Sequence, residues 1–172
     1  MTGGQFQMEV TFNAKLAPKD LFQFNMYQSY TTMQGPLSIF FSILAFVMAG
    51  ISFYKGSMGY GALYICGGII VLIYVPFTLW NRSNYVLRTN PIISDVLEYH
   101  IDEEGIDVTQ GGETGTLLWD KVYKVIAIKN ELLIYSNRVY AYVLPREQVG
   151  EENYAVIKKI AESKLPAKYA RM

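Results

Sequence analysis

A chain of 172 residues holds one ordinary domain, or a small domain with a membrane anchor. Its 15 Lys and Arg equal its 15 Asp and Glu, which argues against a polyanion binder held by bulk charge, so nucleic acid is not an expected partner. An apolar share of 51% rules out a disordered chain, and a single Cys rules out a disulfide framework.

Residues 5–13, QFQMEVTFN, alternate strictly. Phe6, Met8, Val10 and Phe12 share one face, with Gln5, Gln7, Glu9, Thr11 and Asn13 opposite, as in a half-buried strand. Ala17-Pro18 then opens a helix with Pro at its first position and Asp20 in its first turn. That helix runs toward Gly35-Pro36, and its Phe and Tyr residues suit either a membrane surface or a seat on the C-terminal domain. The packed seat is the favoured reading, so residues 1–35 form one N-terminal segment.

From Leu21 to Ser94 there is no Asp or Glu. Two uncharged apolar runs lie inside, 37–54 (LSIFFSILAFVMAGISFY) and 59–80 (GYGALYICGGIIVLIYVPFTLW). As helices they reach roughly 27–33 Å, the thickness of a bilayer core. Neither run keeps a charged face, which a helix at the surface of a soluble core normally has. Residues 36–80 therefore read as a transmembrane hairpin closed by Lys55-Gly56-Ser57-Met58. So short a link puts both tails on one side. Lys15, Lys19, Arg82 and Arg88 flank the tails against Lys55 alone at the turn, a bias that places both termini in the cytoplasm. Small residues four apart, Ala45 with Ala49 and Ala62 with Cys66, offer a close helix contact. Pro76 should kink the second helix or end its regular part.

Segment 81–94, whose NRSNYVLRTN reads as a short helix continuing off the membrane up to the Asn90-Pro91 boundary, connects to a β-rich region spanning 95–165. Leu97, Tyr99 and Ile101 alternate against Glu98, His100 and Asp102. Turns at 102–105, 110–113, 130–131 and 136–137 separate further short strands, an antiparallel meander. Pro145 stops the last strand, and 147–164 reads as a helix whose apolar stripe is Tyr154, Ile157, Ile160 and Ala161. An antiparallel sheet closed by one C-terminal helix is the plan of a pleckstrin-homology-like (PH-like) module. The N-terminal strand could add to this sheet and cover an edge. Residues 166–172 form a tail. The fold class is thus an α+β membrane protein, a two-helix transmembrane hairpin with a PH-like antiparallel β-sheet domain.

The stretches Tyr99–Val108, Leu118–Val125, Leu133–Tyr135 and Tyr142–Arg146 resemble the YcxB-like family. The resemblance covers about residues 5–160 through the order of elements. It implies a bacterial membrane protein with a helical hairpin and a PH-like C-terminal domain, and brings no catalytic residues. Gln148-Val149 departs from the basic or aromatic residue that the family tends to carry there.

Little chemistry is legible. His100 is the only His and Cys66 the only Cys, so one chain cannot assemble a metal cage or a Cys/His pair, and no cofactor is expected. Asp95, Glu98, Asp102, Glu103, Glu104, Asp107 and Glu113 form an acidic run that reads as a solvated face. A hydrolase would need two of them, such as Glu98 and Asp102, in a cleft. Lys158, Lys159, Lys164, Lys168 and Arg171 gather near the C-terminus. Compensation of the helix dipole accounts for the first three, and contact with anionic headgroups is the functional alternative. Tyr123, Tyr135, Tyr140 and Tyr142 either line a peptide or lipid groove or pack the sheet faces. The expectation is a non-enzymatic module at the inner or cytoplasmic membrane, with the bilayer and a partner protein or second copy as partners. An oligomeric two-span channel or an accessory transporter subunit is the competing one.

Overall fold

In the structure, a computed structural model that describes residues 8–172, the chain divides into two compact units. One comprises the described residues through Asp20 together with Leu87–Met172, and the other is Leu21–Val86.

The first unit is built on alternation. β1 (Val10–Lys15) buries Val10, Phe12 and Ala14 and exposes the residues between them, the face expected from sequence. The part of the expected strand at residues 5–7 lies outside the described residues. β1 pairs antiparallel with β2 (Val96–Ile101), Val10 opposite Ile101. The hairpin segment thus sits in the connection between two neighbouring strands. β3 (Gly105–Gln110) and β4 (Glu113–Leu118) complete this sheet in the order β1-β2-β3-β4. A 3-10 turn at Trp119–Lys121 leads to β5 (Lys124–Ile128), β6 (Glu131–Tyr135) and β7 (Ala141–Pro145). Their sheet has the order β7-β6-β5-β8, and β8 (Ala170–Arg171) runs parallel to β5. Sequence gave no sign of β8, because two residues carry no periodicity.

Both sheets and the C-terminal helix share one core. Tyr99, Ile101, Ile106, Trp119, Val125, Leu132, Ile134 and Leu144 meet Ile157, Ile160 and Ala161 there. Tyr99 stacks on Phe12, with ring centroids 5.4 Å apart. The single expected helix over 147–164 is two, α5 (Arg146–Val149) and α6 (Glu151–Lys164). Gly150 between them has φ +80°, a conformation that L side chains rarely adopt, so the chain turns there. Arg146 bridges the break with two bonds of 2.9 Å to Glu151 and lies 4.3 Å from the centre of the Tyr154 ring. That bond raises the Arg146 pKa and lowers that of Glu151. Gln148 has a structural task. Its amide accepts from Lys15 N at 2.7 Å and donates to Lys15 O at 2.8 Å, extending the pairing at the end of β1.

The second unit is helical. α1 (Pro18–Thr31) begins with Asp20 accepting from Ala17 N at 2.8 Å, a cap for the first turn. The N-terminal segment 1–35 is divided: β1 joins the sheet, whereas α1 from Leu21 onward groups with α2 (Gln34–Tyr54) and α3 (Met58–Thr89). Phe22 meets Trp80 edge-on, and Asn25 donates to Ser83 Oγ at 3.0 Å. Pro36 falls within the first turn of α2, where its missing N–H costs nothing. Pro76 does not end α3, which runs through the expected connector to Thr89 before Asn90 caps the short α4 (Pro91–Ser94).

On α2 the contact stripe includes the half-buried Ala45 and the buried Ala49, with Ser38 and Ser42 buried further along. On α3 the expected Ala62 and Cys66 are exposed. Gly61, Gly68 and Val75, spaced by seven, are buried instead. A Cβ at Gly68 would come within 2.9 Å of the Phe46 ring and 3.3 Å of Ala45 Cβ, and one at Gly61 within 2.6 Å of the Phe53 ring. The small-residue principle holds, but the α3 stripe is turned by one residue, about 100° around the helix. Outward, α2 and α3 present large apolar side chains, among them Phe40 at 59% and Ile70 at 66% exposure.

Candidate functional site

A cavity of about 580 Å³ opens in the β-rich unit. Its walls come from the 3-10 turn and the run into β5, the β6–β7 turn, and the chain after α6. Each wall is fixed by local bonds. Trp119 is buried and donates from Nε1 to Asp102 O at 2.7 Å, which anchors the 3-10 turn. Asn137 Oδ1 accepts from Val139 N and Tyr140 N, both at 2.8 Å, and closes the β6–β7 turn. Val125 N donates to Tyr169 O at 2.7 Å, holding the tail beside β5.

Three cations line the cavity from three separate elements: Lys121, Arg138 and Lys164. Asp120 is the one acid among the described lining residues. Neither Lys121 nor Lys164 forms an ion pair with a described residue. The rings of Tyr123 and Tyr169 stand 6.0 Å apart on the wall, tilted by 51°. Lys168 lies 4.6 Å from the centre of the Tyr169 ring.

This geometry separates the basic residues grouped by sequence. Lys164 lines the cavity and Lys168 stands beside it. Lys158 turns to Met172 O at 3.2 Å and to Glu162 at 3.8 Å. Lys159 is exposed. Arg171 sits in β8, and its charge, after burial, lowers the Lys124 pKa. Of the four tyrosines, only Tyr123 lines the cavity. Tyr135 is fully buried, Tyr142 packs against the core and Tyr140 is exposed. Lys121 and Arg138 were missed because each reads as the first residue of a strand. The available signal was that a cation in a tight turn stands at a strand end, where several loops meet.

The acidic run does not converge. Asp102 Oδ1 accepts from Glu104 N and Gly105 N at 2.7 and 2.9 Å, so it builds the β2–β3 turn. Glu98 is exposed on β2. His100 is bonded to Thr11 across the β1–β2 pair at 2.9 Å. Among the described residues, no three His, Cys, Asp or Glu are placed to hold a metal.

A different pair of acids is buried. Glu131, at the start of β6, is 1% exposed, and Asp20 is 3% exposed. Among the described residues, neither Glu131 carboxyl oxygen has a hydrogen-bond partner. Burial first, and then the charge of Asp20, push the Glu131 pKa up to about 8, with Lys19 pulling the other way. Its neutral form prevails at neutral pH, which is how a buried carboxyl avoids the cost of an isolated charge.

The fold is α+β, two β-sheets and a C-terminal helix around one core, in a chain that also carries two long apolar helices. Residues 101–161, from the end of β2 into α6, match the family model described as YcxB-like protein, and the resemblance seen in the sequence holds over that stretch. No curated protein and no solved structure matches the chain.

Proposed function

We propose that this chain is a membrane-anchored, non-enzymatic binding module. The α2–α3 hairpin crosses a bacterial membrane twice and holds a PH-like domain at its inner face, with both termini cytoplasmic. There the domain binds a partner protein, a peptide or a lipid, in signalling, stress response or immunity. The observation that carries the anchor is the exposed apolar surface of α2 and α3, of whose most apolar windows only 11% and 17% of residues are buried. Water would oppose so large an apolar surface, and lipid tails accept it. The PH-like reading is supported by strand order: four strands in one sheet, β5–β7 in a second, and α6 packed on the shared core. In that order the hairpin is an insertion between the first two strands.

Reporter fusions test this arrangement. A fluorescent protein at either terminus is expected to fold and fluoresce in cells, and alkaline phosphatase at Gly56 in the hairpin turn is expected to be active outside. An active phosphatase at the C-terminus would contradict it.

A further inference from the structure

Resting on the reading of a binding module, we infer that the cavity at the 3-10 turn takes a phosphate monoester, with Lys121, Arg138 and Lys164 on the phosphoryl group and Tyr123 and Tyr169 against its organic part. Three cations against one acid leave a formal surplus of +2 on the wall, which complements a dianion. The cations come from three elements and share one wall, a set of donors suited to a group with several acceptor oxygens. Among the described residues neither Lys121 nor Lys164 is in an ion pair, so recruiting these two breaks none. Arg138 adds a planar fork suited to two phosphate oxygens at once. The volume exceeds what a bare phosphate needs, and the remaining wall is aromatic and apolar, with Val122, Leu165 and Pro166 in it. A phosphorylated small molecule and a phosphorylated lipid headgroup share this chemistry.

Phenyl phosphate combines both halves and is the probe. The full chain is reconstituted in phosphatidylcholine nanodiscs, and binding is followed by calorimetry. Phenyl phosphate is expected to bind and phenol is not. The pair Lys121→Gln and Lys164→Gln should weaken binding roughly tenfold or more, since charge-assisted contacts are lost. Both residues are exposed, so the variant keeps its core. No binding, equal binding of phenol, or unchanged affinity in the double variant would overturn the assignment. Nanodiscs containing phosphatidic acid then separate the sources. Competition with phenyl phosphate assigns the site to a lipid headgroup, and its absence assigns it to a soluble ligand, the phosphate chemistry standing in both cases. Failure here, with the reporter topology intact, leaves the anchor untouched. Release of phenol would overturn the non-enzymatic reading instead.

Discussion

Full-length protein carrying Glu131→Gln is expected to melt at a higher temperature than the parent at pH 8, and at nearly the same temperature at pH 4. The sign follows from the two states. In the unfolded chain the carboxyl titrates near pH 4.5, and in the fold burial moves that to about 8. Below the lower value both states hold the proton, and the stability is at its full level. As pH rises between the two values the unfolded chain sheds its proton while the fold keeps it, so stability falls by about 1.4 kcal/mol per unit. Above the upper value both states are ionised and the loss is complete, on the order of 3–5 kcal/mol. Glutamine has nearly the same shape and never ionises, so its profile should be flat across that window. Circular dichroism melts in detergent over a pH series would read the difference. Parallel profiles for the two proteins would mean that Glu131 is solvated in the fold.

Trp119→Ala should be the most damaging single truncation in the β-rich unit. The side chain is buried in the shared core and its indole N–H is bonded to Asp102 O. Loss of a buried Trp costs about 3–5 kcal/mol, a large part of the stability of a domain this size. Trp119→Phe keeps most of the ring but leaves the Asp102 carbonyl without its donor, at a cost of about 1–3 kcal/mol. Urea unfolding in mild detergent should rank the parent above Phe and Phe above Ala. If Ala and Phe proved equal, the hydrogen bond and not the packing would be the main contribution.

What was legible in the sequence is what repeats. Alternation over residues 8–14 and 97–101 placed the buried faces of β1 and β2, because a strand puts every second residue on one side. The stripe of Ile157, Ile160 and Ala161 placed the inner face of α6. Unbroken apolar runs gave α2 and the first two-thirds of α3. Features set by a single residue, or by distant packing, were not legible. Gly150 splits the last helix through its own backbone, and a lone Gly in a helical pattern does not announce that. Pro76 failed to end α3 because a long apolar helix can absorb one lost bond. The α3 contact stripe was read from Ala and Cys when glycines allow a closer approach. Glu131 looked like a turn residue beside Asn130. Its burial depends on the packing of distant segments, which its neighbours in sequence do not encode. The same holds for the cavity, whose cations are brought together from positions 121, 138 and 164.

The membrane anchor is the central claim, and the chain carries its own probe for it. Cys66, the sole cysteine, lies on the exposed side of α3, eight residues from the helix start and so about 12 Å along it. A nitroxide attached there in lipid vesicles should collide more often with dissolved oxygen, which concentrates in hydrocarbon, than with a water-soluble nickel chelate. Greater collision with the chelate, or shielding from both, would show that α3 does not face lipid and would contradict the account.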